Sequence, residues 1–159
     1  MALSVKRIAL WRKETHNQPG ALARTLEPLA GTGADLRVVM GYRFPDTPDR
    51  AAIEVYPIAG KKATAAAEQA GLAPFGLACL LLEGDNRPGL GAAISRALAI
   101  AGTNIAFLVA QVMGRRFTAV IGFEDAAAAT GAAKIVKAAE RATTGAKRRA
   151  GRRPTRRRR

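Results

Sequence analysis

A twenty-residue segment occurs twice in this chain. Residues 17–36, NQPGALARTLEPLAGTGADL, align without a gap on residues 86–105, NRPGLGAAISRALAIAGTNI, at an offset of 69. Seven of the twenty positions are identical: the Asn, Pro and Gly of an N-x-P-G block, then Ala23/Ala92, Leu29/Leu98, Ala30/Ala99 and Gly33/Gly102. Ala matches are cheap in an Ala-rich chain, but an N-x-P-G block and a second Gly at constant spacing are not. A repeat of this period means one small structural unit used twice, and 159 residues accommodate two such units.

Both copies read in the same order. An apolar stretch opens each, at 8–11 and 77–82. Asn17 and Asn86 stand where an N-cap belongs, with Pro19 and Pro88 expected inside the first helical turn. The helices follow, with Leu22, Leu26 and Leu29 in the first copy. Leu90, Ile94 and Leu98 recur at i, i+4, i+8 in the second. Gly33 and Gly102 stand where a left-handed residue ends a helix. Extended segments at 36–42 and 52–58, then 105–113 and 117–123, are joined by a Pro- and Asp-rich loop at 43–50 and a tight turn at 114–116. Ala-rich helices at 61–70 and 126–143, before Gly71 and Gly145, close the copies. The order β-α-β-β-α predicts an α+β fold of two ferredoxin-like (βαββαβ) units with antiparallel sheets. The expected units are residues 4–75 and 76–144, followed by a basic tail at 145–159. The fourth strand is the weak element: only 72–75 is available in the first copy, and in the second the helix runs into the tail.

Charge is concentrated at one end. The chain carries 26 Lys and Arg against 12 Asp and Glu, a net +14. Residues 147–159 hold nine of the basic residues and no acid, so the rest is only mildly basic. The tail has no apolar face and repels itself, which predicts disorder and salt-sensitive, sequence-indifferent attraction to polyanions. A solvated tail without a partner fits the same composition. No apolar run approaches the ~18 residues needed to span a bilayer, and the start lacks a secretory pattern. Cys79 is the single cysteine and His16 the single histidine, so there is no internal disulfide and no Cys/His zinc site. Those features together imply a cytoplasmic protein. Cys79 lies in an apolar run and reads as a core residue. No activated nucleophile, carboxylate pair or phosphate-type Gly loop is present, so no enzyme, metal or cofactor is expected.

A strand, N-x-P-G, a helix, G-x-[ND]-[ILV] and a hairpin, occurring twice, resemble the ACT domain over roughly residues 5–143. The resemblance implies a tandem ACT-domain protein: a non-catalytic regulatory module that senses a small molecule, most often an amino acid. It further implies sheets paired side by side, a homo-oligomer, a ligand at the interface between paired units, and a separate regulated enzyme. Transferred by position, the ligand-contacting residues are Asn17, Gly20 and Asp35 in the first copy, and Asn86, Gly89, Leu90 and Asn104 in the second. The second copy keeps both Asn residues; the first has Asp35 at the later position.

Elementary chemistry is compatible with such a role. A helix N-terminus offers N–H groups to a carboxylate, an Asn amide serves either end of an amino acid, and Gly permits close approach. Asp35 accepts from an ammonium but repels a carboxylate, so the copies need not be equivalent. The plainer reading of Asn17 and Asn86 is helix capping, and Trp11 and Phe107 read as core or interface residues. A nucleic-acid-binding or interaction protein acting through the basic tail is the alternative. RNA-recognition domains share this strand order, but Ala119 stands where a base-stacking aromatic belongs, although Phe117 is present.

Overall fold

The computed structural model describes residues 3–150. The elements are β1 (Ser4–Ile8), β2 (Trp11–His16), α1 (Ala21–Ala30), β3 (Val38–Arg43), β4 (Arg50–Tyr56), α2 (Lys61–Gln69), β5 (Ala73–Pro74), β6 (Ala78–Asp85), α3 (Leu90–Ile100), β7 (Phe107–Met113), β8 (Arg116–Phe123) and α4 (Ala126–Ala150). Two four-stranded sheets form, in the orders β3-β4-β2-β5 and β1-β6-β8-β7. Each is one ferredoxin-like unit, so the α+β class and the twice-used order hold.

The chain divides into two compact units, Ile8–Leu77 and a second made from the N-terminal residues up to Arg7 together with the chain from Ala78 onward. In the first, β2 pairs antiparallel with β4, β4 with β3, and β2 with the short β5. Leu29 of α1, Ala67 of α2, Leu72, and Ile53 and Val55 of β4 form its core, with Trp11 partly buried against them. The alternation of Ile53 and Val55 sends both side chains to the face that the helices cover.

In the second unit β8 pairs antiparallel with β6 and with β7. Leu80 and Leu82 of β6, Leu90, Ile94 and Leu98 of α3, Ile121 and Phe123 of β8, and Ala129 and Val136 of α4 pack into one core. The i, i+4, i+8 triplet of α3 is therefore its buried stripe. Gly122 has no side chain because the Phe107 ring lies where its Cβ would be.

The fourth strand is as short as expected in the first copy and comes from elsewhere in the chain in the second. In the Ile8–Leu77 unit β5 occupies that place, beside β2. In the second unit β1 occupies it, beside β6. Residues 4–7, placed with the first copy by sequence, thus belong to the sheet of the second. Among the described residues no strand follows α4, so β1 is what covers the edge of β6. An open β6 edge is an unpaired hydrogen-bonding row. Leu3 and Val5, on alternate positions, pack against the second core.

Helix α4 also departs from expectation. It continues through Gly145 to Ala150, because Ala, Lys and Arg favour helix strongly enough to outweigh one Gly. Residues 145–150 are the last of this helix, and the remainder of the expected disordered tail, 151–159, lies outside the described residues.

Candidate functional site

The N-x-P-G blocks are turns before they are helix starts. In each, the residue after the Gly donates its backbone N–H to the carbonyl of the residue before the Pro: Ala21 to Gln18 and Leu90 to Arg87, both at 3.2 Å. Gly20 and Gly89 have φ 81° and ψ −5°. Pro with its fixed φ at the second position and a left-handed Gly at the third define a type II turn. The Gly is also the N-cap residue, and no side chain caps either helix. This corrects the sequence reading: Pro19 and Pro88 precede the helices, and Asn17 and Asn86 lie too far back to cap them. Instead, the Asn17 amide donates to the Pro48 carbonyl at 3.0 Å. The backbone N–H groups of Asn17 and Asn86 donate to the carbonyls of Asp49 and Arg115, at 2.7 and 2.8 Å. Both turns are thereby tied to a hairpin connection, β3–β4 in the first copy and β7–β8 in the second. In the second copy Arg87 adds an ion pair with Glu140 of α4.

Beside the second turn lies a cavity of about 390 Å³ between α3 and the β7–β8 hairpin. Leu90, Ile94 and Leu98 form its helix wall, with Leu108, Val112 and Phe117 on the strands, and Asn86, Ser95 and Gln111 as its polar members. No charged side chain lines it. It exists because β7 is an edge strand whose helix-side residues are left uncovered: Leu108 is 51% and Val112 54% exposed. Of the residues transferred by resemblance, Asn86 and Leu90 line this cavity, whereas Gly89 and Asn104 do not. Asn104 is exposed in the loop before β7.

The first copy has a smaller counterpart of about 250 Å³ at the equivalent place, with Asn17, Leu22, Tyr42 and Arg43 among its walls. Gly20 and Asp35 are not among its lining residues, and Asp35 is exposed in the loop before β3.

A buried polar cluster that the sequence reading passed over sits on the other face of the first sheet. Glu54 of β4 is fully buried. Its Oε1 accepts from the Tyr42 hydroxyl at 2.8 Å and lies 3.8 Å from Nε of Arg12, its cross-strand partner. Arg12 also pairs with Glu14 at 3.0 Å, and its guanidinium stacks over Phe75, 4.6 Å from the ring centroid. Glu54 Oε2 and Arg12 Nε are buried without a hydrogen-bond partner. Burial raises the Glu54 carboxyl above the usual glutamate range, against the opposing pull of the Tyr42 hydrogen bond and Arg12. Tyr42 is pushed up to about 12, first by burial and then by Glu54. The sequence carried only a faint signal for this: Glu54 alternates with Ile53 and Val55 as a solvent-facing residue would. Nothing local announces that Ala52–Val55 is buried on both faces.

Cys79 is buried in β6 and takes part in no disulfide, and His16 is exposed on β2. Among the described residues no group of three or more His, Cys, Asp or Glu side chains could hold a metal ion. No helix there is long and apolar enough to cross a membrane.

No protein-family model matches the sequence, and no curated protein matches it. Solved structures share the fold. A protein from Bacteroides thetaiotaomicron is similar at a TM-score of 0.67 and 17% identity, over 82% of this chain and 88% of that one. The ligand-free regulatory subunit of aspartate kinase from Thermus thermophilus gives 0.58 at 19% identity, over 87% and 97%. The aspartate kinase of Clostridium acetobutylicum, described as an allosteric enzyme, gives 0.55 at 15%, over 88% of this chain and 34% of that longer one. The chain thus shares the fold of these structures over most of its length.

Proposed function

We propose that this protein is a non-catalytic regulatory protein that senses a small molecule, an amino acid, and acts on a separate enzyme. The observation that carries this reading is the coincidence of two independent features. The fold is shared across nearly the whole length of a regulatory subunit of aspartate kinase. And the turn that the sequence repeats borders the larger cavity, with Asn86 and Leu90 in its wall. The uncapped start of α3 leaves first-turn amides for a carboxylate, and the Asn86 amide both donates and accepts. Asn86, Gly89, Leu90 and Asn104 form the proposed contact set of the second copy, and Asn17, Gly20 and Asp35 the weaker set of the first.

Thermal unfolding of the full chain against each of the twenty amino acids, followed by titration calorimetry on Asn86→Ala and Asn104→Ala, tests the reading. One amino acid should raise the unfolding midpoint. Losing one Asn contact to a charged group should cost about 1.5–3 kcal/mol, at least tenfold in affinity. No response to any amino acid sinks it.

A second reading rests on the tail. Nine cations without an acid in 147–159 suit a polyanion, and the helical backbone of α4 carries the first of them. This activity is compatible with the first and resides elsewhere in the chain.

A further inference from the structure

We infer that the ligand of the second unit presents an uncharged, bulky apolar group, which enters the cavity between α3 and β7, and that the first copy has lost this site. The inference rests on the sensor reading and narrows its ligand. It comes from comparing the two copies wall by wall.

At the 69-residue offset, Leu22 of the first copy corresponds to Gly91 of the second, Thr25 to Ile94 and Arg43 to Val112. Each pair lines the smaller cavity, the larger one, or the helix surface beside it. In the first copy Leu22 stands 44% exposed at the wall and Arg43 adds a cation. Thr25 is buried with its hydroxyl committed to the Ala21 carbonyl at 2.9 Å. In the second, all three changes favour an apolar guest. Ile94 and Val112 supply aliphatic wall, and Gly91 supplies none: a Cβ there meets nothing within 4 Å. The second cavity is also the larger, about 390 Å³ against 250 Å³, and lies within the usual range of small-molecule sites.

The chemistry of the guest follows from the walls. Half-exposed Leu108 and Val112 gain by being covered with apolar surface. A charged group placed there loses hydration and finds no counter-charge, since no ionised side chain lines the cavity. Asn86, Ser95 and Gln111 provide uncharged donors and acceptors that orient a polar head and leave the apolar body inside.

The test uses the full chain, a Gly91→Leu variant that restores the side chain of the first copy, and Gly91→Ala as control. Leu and Ala both favour helix over Gly, and the site has room for a Cβ, so neither variant should unfold. The probes are L-leucine, L-phenylalanine, L-aspartate, L-lysine and toluene, read by calorimetry and by methyl chemical shifts of Ile94 and Leu108. Leucine or phenylalanine, with toluene, should bind the parent and Gly91→Ala, and should weaken at least ~tenfold in Gly91→Leu. Aspartate and lysine should not bind. Binding of aspartate or lysine, or apolar binding untouched by Gly91→Leu, overturns the inference and leaves the sensor reading standing. Toluene binding lost in Gly91→Leu, with no amino acid bound, upholds the apolar site and removes the amino-acid reading. Silence from all five probes overturns the inference. So does a parent that self-associates through β7 and is dissociated by Gly91→Leu, because the groove is then a contact between copies.

Discussion

The Tyr42 hydroxyl donates to Glu54 Oε1 at 2.8 Å across a diagonal of the first sheet, because Glu54 lies directly opposite Met40 and Tyr42 opposite Ala52. Diagonal neighbours are within reach of a long aromatic side chain. Glu54 is fully buried, so this bond is the main polar satisfaction of its first oxygen, while its second has none. Tyr42→Phe should therefore destabilise the protein by about 1–3 kcal/mol, the cost of stranding a buried acceptor. Denaturant unfolding measures it, and a change below a few tenths would show that water or Arg12 replaces the hydroxyl.

The same pair sets a pH dependence whose sign is fixed by the direction of the two shifts. Glu54 is raised, chiefly by burial. The native state then holds the proton more tightly than the unfolded chain, so the associated stability is full below the ordinary glutamate range. It declines as pH rises through the native value. Tyr42, at about 12 against an ordinary 10, contributes stability that is full below pH ~10 and is lost from there to about 12. Unfolding midpoints measured from acid to alkali should fall in both windows. Glu54→Gln should flatten the lower decline and Tyr42→Phe the upper one.

Gly89→Ala and Gly91→Ala should have opposite effects although they are two residues apart. Gly89 has φ 81° as third residue of its turn, a conformation that costs an L-residue about 1–2 kcal/mol. Gly91 lies in the first turn of α3 with open space around it, where Ala gains up to about 1 kcal/mol. Differential scanning of the two variants should separate them to either side of the parent. Equal shifts would contradict the turn assignment.

Deleting residues 147–159 removes nine of the 26 basic residues. It should abolish most retention on heparin or DNA and flatten its salt dependence, with little change in unfolding temperature. Retention that survives the deletion places the basic surface on the folded units.

The sequence made the helices and their repeat legible because both signals are local. Leu90, Ile94 and Leu98 mark a buried stripe by spacing alone, and Gly33 and Gly102 do adopt the positive φ that their position suggested. The N-x-P-G block was legible as a motif but read in the wrong register: Pro and Gly specify a type II turn as strongly as a helix start, and only the carbonyl that receives the next N–H decides. The pairing of β1 was illegible for a different reason. Ser4–Ile8 is a short amphipathic strand without a preferred neighbour in the sequence, and its place follows from which edge is vacant. Of the candidate site, the position of Asn86 and Leu90 could be read from the motif. The cavity beside them depends on β7 being left uncovered, a property of the sheet as a whole.

The pairing of β1 with β6 also imposes an order in time. During synthesis the first strand leaves the ribosome more than seventy residues before its neighbour does, an interval on the order of 4–15 s at cellular elongation rates. Within it the Ile8–Leu77 unit can complete its own sheet, while Ser4–Ile8 has none to join. The second unit closes only when Ser4–Ile8 meets β6. A break anywhere between the two copies therefore fails to release two equal halves: one piece keeps a strand it has no use for, and the other is left with an open β6.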